Sequence, residues 1–184
     1  MSCILYPFLV VINIIGTVLT YPLAFIFALL WHDDIGWSNN ATAWSNGPRL
    51  YKFLSWFQTP DNSLNGDIGF QALFPPCWWS KVHWLWRNPF YGFCVKYFDG
   101  STGMSYSGNL DCSPTKPGHI LVKGHGLWQY VLYKPMLGKT LYLNFGWNIK
   151  ALVDPGYITP DQWHNNSAVI ANYPATFAFS PRLI

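Results

Sequence analysis

From Ile4 to Trp31 the chain runs for 28 residues without a charged side chain. A helix that crosses the hydrocarbon core of a bilayer needs about 20 apolar residues. The run therefore predicts one transmembrane helix, tilted or kinked, or a shorter re-entrant hairpin, and is too short for two full spans. Pro7 falls near the start of the helix, where proline is tolerated. Pro22 falls inside, removes one backbone hydrogen bond and predicts a kink near Val18 to Thr20. A cleaved signal peptide fits less well: no Lys or Arg precedes the run, it is too long, and no small-residue cleavage site follows. Within the helix Asn13, Gly16, Thr17 and Thr20 recur every three or four residues and form a small, polar stripe. Such a stripe lets a second helix approach closely in lipid, or packs on an aromatic segment of the same protein.

The pattern then changes. Trp37 to Pro48 is a loop by composition, rich in Asn, Ser, Gly and Pro. Arg49 to Gln58 places Leu50, Phe53, Leu54 and Phe57 at helical spacing, which predicts a short amphipathic helix on the bilayer surface with Trp56 at headgroup level. In Leu141 to Lys150 the period is two: Leu141, Leu143, Phe145, Trp147 and Ile149 point one way, and Tyr142, Asn144, Gly146, Asn148 and Lys150 the other. This predicts a half-buried strand. Leu127 to Lys134 is also strand-like, and Pro135 to Gly138 suits the connection of a hairpin. Ala168 to Ile170 and Ala175 to Phe179 predict short strands, with Pro174 pushing the last toward a sheet edge. The predicted fold is a membrane-anchored α+β protein. Residues 1–33 are a transmembrane anchor and 34–184 an aromatic-rich domain, with an interfacial region at 49–98 and an antiparallel sheet region at 118–184. A transmembrane barrel has too few alternating segments here.

Composition sharpens this picture. Aromatic residues make up 19% of the chain and charged ones only 10%, against about 25% in a typical soluble domain, so part of the surface is expected to meet something other than water. The formal charge of +3, without a Lys/Arg cluster, gives no reason to expect nucleic acid. Arg49 and Lys52, the first basic residues after the apolar run, favour a cytoplasmic C-terminal part. Trp78, Trp79, Trp84 and Trp86 lie within nine positions, with Lys81 and Arg87 among them. This suits a membrane–water boundary where indoles sit at headgroup depth and basic groups reach phosphates. Alternatively, Arg87 folds back to pair with Asp61 or Asp67.

Candidate chemistry is sparse. Asp61, Ser63, Asn65 and Gly66 match the opening half of a calcium loop, but the closing twelfth position is Ala72, and a hydrogen-bonded turn is the simpler reading. His119 and His125 straddle Lys123-Gly124, while His32, His83 and His164 stand alone; none has zinc spacing, and no Ser sits in a nucleophile elbow. A lipid-processing site built from Asp61, His125 and Arg87 has no spacing to support it. No catalytic residue, cofactor or metal site is expected. Cys3, Cys77, Cys94 and Cys112 form no C-x-x-C pair and read as buried thiols rather than a disulfide framework.

Two segments carry a family resemblance: Thr59-Pro-Asp-Asn-x-x-x-Gly-Asp67 and Trp84-x-Trp-Arg-Asn-Pro-x-Tyr-Gly-Phe93. Over Gln58 to Phe93 the chain resembles small proteins of tailed bacteriophages that begin with an apolar segment and carry these two boxes. The resemblance implies a viral origin and a bacterial host, which makes the glycosylation sequons at Asn40 and Asn165 irrelevant. It also implies a shared framework of Asp61, Asn62, Gly66, Asp67, Arg87, Asn88 and Pro89, and supplies no catalytic role for any of them. The expected function is binding at the host envelope from the bacterial membrane, as in superinfection exclusion, entry or lysis. The partners would be the lipid bilayer and a second copy or another phage or host membrane protein. The rivals are a structural virion component, such as a tail-tip protein, and a lipid-modifying enzyme.

Overall fold

The computed structural model of the chain describes residues 4–34, 47–60, 62–98, 105–149 and 173–184. Asp61, both sequons, most of the Trp37–Pro48 loop and the predicted Ala168–Ile170 strand lie outside the described residues. The architecture is the one predicted: an apolar N-terminal helix followed by an aromatic-rich part with antiparallel sheets. The chain divides into two compact units, Pro7–Cys94 and a second made of Met1–Tyr6 with Val95–Ile184.

Helix α1 (Tyr6–Phe27), which belongs to the first unit from Pro7 on, runs continuously with Pro22 inside it. Its buried residues are Gly16, Thr20, Ala24 and Phe27, all on one line at helical spacing. The Thr20 hydroxyl, wholly buried, donates to the Gly16 carbonyl at 2.8 Å. Strands β1 (Trp31–Asp34) and β2 (Gly47–Leu50) form a small antiparallel pair, Trp31 opposite Leu50 and His32 opposite Arg49.

That pairing corrects the helix predicted from Arg49. Arg49 and Leu50 belong to the strand, and only Lys52–Phe57 is helical, as a 3₁₀ turn. Its three-residue period aligns Leu54 with Phe57 on the inside. Phe53, counted on the apolar face at α-helical spacing, turns out and is 78% exposed. Two helices follow, α2 (Ile68–Leu73) and α3 (Trp78–Arg87). The core joins Ala24, Phe27 and Ala28 to Leu50, Leu54, Leu64, Val82 and Leu85.

The second unit is a six-stranded sheet. Its strands are β3 (Lys96–Phe98), β4 (Ser105–Gly108), β5 (Gly118–Gly124), β6 (Leu127–Met136), β7 (Lys139–Asn148) and β8 (Tyr173–Leu183), in the spatial order β3-β8-β7-β6-β5-β4. Every neighbouring pair is antiparallel. The predicted hairpin is β6–β7, but its connection is tighter than expected. Pro135 and Met136 lie in the ladder, opposite Thr140 and Lys139, so the turn is Leu137-Gly138 alone. Proline is tolerated there because β5 pairs with β6 only as far as Gly118 opposite Tyr133. Pro174 behaves similarly: it faces Tyr97 of β3, and β7 begins to pair with β8 only at Thr176.

Side-chain burial in β7 differs from what its alternation suggests. Trp147 is buried on the apolar side, yet Leu141, Leu143 and Phe145 are only half-buried, while Asn144 and Gly146 on the opposite side are buried. The Asn144 side of the sheet carries Ile120, Val122, Gln129, Val131, Thr176 and Ala178, all buried. Buried polar groups are tolerated when they are hydrogen-bonded. The Gln129 amide nitrogen donates to Asn144 Oδ1 at 3.0 Å and to Asn148 Oδ1 at 3.3 Å.

Tyr6 belongs to this sheet unit. Its hydroxyl accepts from the Gly146 N–H at 2.9 Å and donates to the Ala178 carbonyl at 2.7 Å. Gly146 and Ala178 face each other across β7 and β8, and Gly146 has a φ of 97° that favours glycine. The phenol thus bridges two backbone groups of paired strands, and its ring packs on Trp128, Trp147 and Phe177.

Candidate membrane interface

The two boxes meet at Asp67. Its Oδ1 accepts from the Phe70 N–H at 2.8 Å and caps α2. Its Oδ2 lies 3.8 Å from Arg87 Nη2. The Arg87 guanidinium also lies over the rings of Trp84 (5.3 Å) and Phe70 (5.9 Å). Arg87 is thus folded back onto the aspartate box. Both partners are open to solvent, 55% and 40% exposed, so the ion pair contributes at most about 1 kcal/mol.

The rest of each box makes turns and helix ends. Gly66 has a φ of 82°, and a Cβ there would stand 2.6 Å from the Phe70 ring and 2.8 Å from that of Trp84, so any side chain would be both strained and obstructed. The Asn62 carbonyl accepts from Gln58 Nε2 at 3.0 Å and from the Thr59 hydroxyl at 3.4 Å. Gln58, buried, accepts from the Leu50 N–H at 2.7 Å and so ties β2 to the box. The Ser63 hydroxyl accepts from the Asn65 N–H, and its carbonyl from the Gly66 N–H. The Ser63 oxygens close a turn, while Asn65 Oδ1 is buried without a hydrogen-bond partner. Among the described residues no three His, Cys, Asp or Glu side chains converge as a metal site would require. At the other box, the backbone and side-chain N–H groups of Asn88 both donate to the Trp84 carbonyl, ending α3, and Pro89 follows.

The indoles sort by helical period. The inward face of α3 is Ser80, Lys81, Val82, Trp84 and Leu85. Trp78 and Trp79 fall on the outward side and are exposed, as is Trp56 on the 3₁₀ turn, while Trp86 is half-buried. Trp84 is the correction among the interfacial tryptophans: at 3% exposure it packs on Phe70 inside the unit. Lys81, expected to reach phosphates, is buried as well, with its ammonium 5.0 Å from the Trp31 ring centroid. Trp78, Trp79 and Trp86 gather around Phe25. Trp86 Nε1 donates to the Tyr21 carbonyl at 2.9 Å and Trp78 Nε1 to the Phe25 carbonyl at 3.3 Å. The second bond serves an acceptor at the frayed helix end, where the Leu29 N–H turns to Ile26.

On α1 the small stripe faces this aromatic segment. Gly16 and Thr20 are buried, Asn13 and Thr17 half-buried. A Cβ at Gly16 would overlap the Phe90 ring, which itself packs with Trp56, Phe57 and Phe93. The opposite side is a line of Val11, Ile15, Val18, Pro22 and Phe25 at helical spacing, continued by Leu29 in the turn after α1, every one exposed. Flanked by Phe8 and Ile26, it forms an apolar surface along the whole helix.

Two features carried no sequence signal: the Tyr6 bridge, and the role of Cys77 as N-cap of α3. The Cys77 sulfur accepts from the Ser80 N–H at 3.4 Å, and the Ser80 hydroxyl accepts from the Cys77 N–H at 2.8 Å. These hydrogen bonds hold the exposed thiol below its ordinary range. Burial pushes the Cys112 thiol the other way. Cys77, Cys94 and Cys112 form no disulfide, and the expectation of burial holds only for Cys112 in full.

Neither a curated protein nor a solved structure matches the chain. A family model does, over residues 1–180, and the chain belongs to that family of unknown function, DUF7338.

Proposed function

We propose that this protein is held on a bacterial host membrane by α1 and acts there by binding, with no chemistry of its own. The observation that carries this reading is the charge-free outward half of α1, exposed along its length beside Trp78 and Trp79. A soluble protein rarely leaves a contiguous apolar patch of this extent in water without a partner for it. The helix has the length and composition of a membrane span. Its own fold covers only one side. The boxes lend no support to catalysis, since Asp67, Asn88 and Gly66 serve as cap, helix end and turn. The resemblance to tailed-phage proteins supplies the bacterial host and the envelope as the place of action.

The test is fractionation of infected cells alongside purified particles, with flotation of the purified chain on liposomes. Recovery in carbonate-washed membranes and in the floated fraction is expected. Recovery in a salt-washed supernatant, with no flotation, would remove the reading. Stoichiometric copies in particles would instead favour a virion component.

A further inference from the structure

We infer that α1 lies along one leaflet, apolar side down, and does not cross the bilayer; this rests on the membrane reading above and specifies how the membrane is met. A helix of 22 residues is about 33 Å long, close to the roughly 30 Å of the hydrocarbon core. If it crossed, its midpoint would stand at the bilayer centre, and that midpoint is Gly16 and Thr17.

What packs on Gly16 is not another helix. It is Phe90, from the irregular segment Asn88–Cys94, in which Phe90 and Cys94 take φ values of 55° and 52°. Gly92 of the same segment lies so close to the Ser55 and Gln58 carbonyls that a Cβ would overlap both. The 3₁₀ turn is thereby drawn alongside, with Phe57 bridging Phe27 and Phe90. Ser55 and Lys52 of this turn are exposed, and Asn88, Tyr91 and Gly92 are half-exposed. Hydrocarbon does not tolerate lipid-exposed irregular backbone, because nothing there satisfies its polar groups. A crossing helix would carry this side of the unit into the acyl region.

A helix in the plane of the membrane removes the conflict. Val11, Ile15, Val18, Phe25 and Leu29 then enter the acyl chains together. The Gly16–Thr20 side, with the irregular segments packed on it, stays toward headgroups and water. Trp78 and Trp79, beside Phe25, fall at the boundary where indoles are favoured. The partner is thus the outer few ångströms of a phospholipid leaflet, and the charge-free surface needs no anionic lipid to enter it.

The experiment places a nitrobenzoxadiazole label singly at Val11→Cys, Val18→Cys or Leu29→Cys. The full chain has its native cysteines replaced (serine at Cys77, to keep the cap). It is bound to phosphatidylethanolamine/phosphatidylglycerol liposomes, and fluorescence is quenched by lipids with a nitroxide near the headgroup or near the acyl terminus. All three positions are outward and exposed, so the labels do not disturb packing. Flotation and far-UV circular dichroism of each labelled chain confirm binding and folding. Equal, predominantly shallow quenching at all three sites is expected. Deep quenching at Val18 with shallow quenching at Val11 and Leu29 would overturn the in-plane helix and leave the membrane reading standing. Labelled and unlabelled chains that fold but fail to float would overturn both.

Discussion

At the scale of single residues, the two thiols in opposite surroundings give a direct test of the local electrostatics. Cys77 is exposed and its thiolate is stabilised by hydrogen bonds from Ser80 at the start of α3; Cys112 is buried and its thiolate disfavoured. Only the thiolate is nucleophilic. Alkylation by iodoacetamide, mapped by mass spectrometry across a pH series, should rise at Cys77 below pH 9.0 and at Cys112 above it. Equal profiles would mean that the Cys77 cap does not form in solution. Gly16 gives a packing test. Gly16→Leu forces a side chain into the Phe90 ring and should cost about 1–3 kcal/mol by overpacking, read from urea unfolding. Phe90→Ala in the same chain should recover part of that loss. The sequence made Gly16 conspicuous, because small residues at helical spacing mark a close approach. It did not name what approaches, because a second helix and an aromatic ring from the same chain leave the same stripe.

At the scale of elements, legibility followed the strength of the periodic signal. The alternation in Leu141 to Ile149 and the run from Leu127 located β7 and β6. By contrast, β4 (Ser-Tyr-Ser-Gly) is an exposed edge with no apolar alternation to detect, and β1 carries two aspartates that no strand propensity favours. It exists because Arg49 and Leu50 pair with His32 and Trp31. The helix predicted over Arg49 to Gln58 failed for that same tertiary reason. The β6–β7 turn was placed correctly in outline but its type was hidden. Leu137 and Gly138 have φ values of 54° and 73°, the left-handed pair of a type I′ hairpin, for which Asn-Gly is the favoured sequence. Leucine there is strained, and at 88% exposure it gains little from packing. Leu137→Asn should therefore stabilise the protein by about 1 kcal/mol, seen as a higher urea midpoint with an unchanged slope. A lower midpoint would show that Leu137 is making a contact.

At the scale of the whole chain, composition led to the expectation that part of the surface meets something other than water, and the alternation in β7 did not reveal which side of the sheet is more buried. The Asn144 side is interior because Gln129 satisfies Asn144 and Asn148 across β6 and β7, a network that no hydropathy pattern encodes. The same side holds Tyr133 and Tyr142, whose rings meet tilted at 44° with centroids 5.1 Å apart. Burial is the first cause that raises both phenol pKa values above 10.0; Tyr142 adds to the rise at Tyr133, a hydrogen bond with Asn144 opposes it at Tyr142, and Arg182 opposes it at both. A raised folded-state pKa leaves stability intact below the unfolded value and erodes it as pH climbs through the folded one. The tyrosines' contribution to unfolding free energy should thus be flat up to about pH 10 and fall beyond it, and Tyr133→Phe should lessen that fall. The apolar surface makes the last prediction. The formal charge is only +3, Arg49 and Lys81 are buried, and Arg87 is committed to Asp67. A basic residue near an anionic leaflet contributes about 1 kcal/mol and is screened by salt; buried apolar surface contributes about 25 cal/mol per Å² and is not. At roughly 1 M salt the Debye length is near 3 Å, so flotation driven by α1 should persist there and be equal on zwitterionic and anionic liposomes. Binding that appears only with anionic lipid and disappears in salt would assign the attachment to Lys and Arg instead of the outward line of α1.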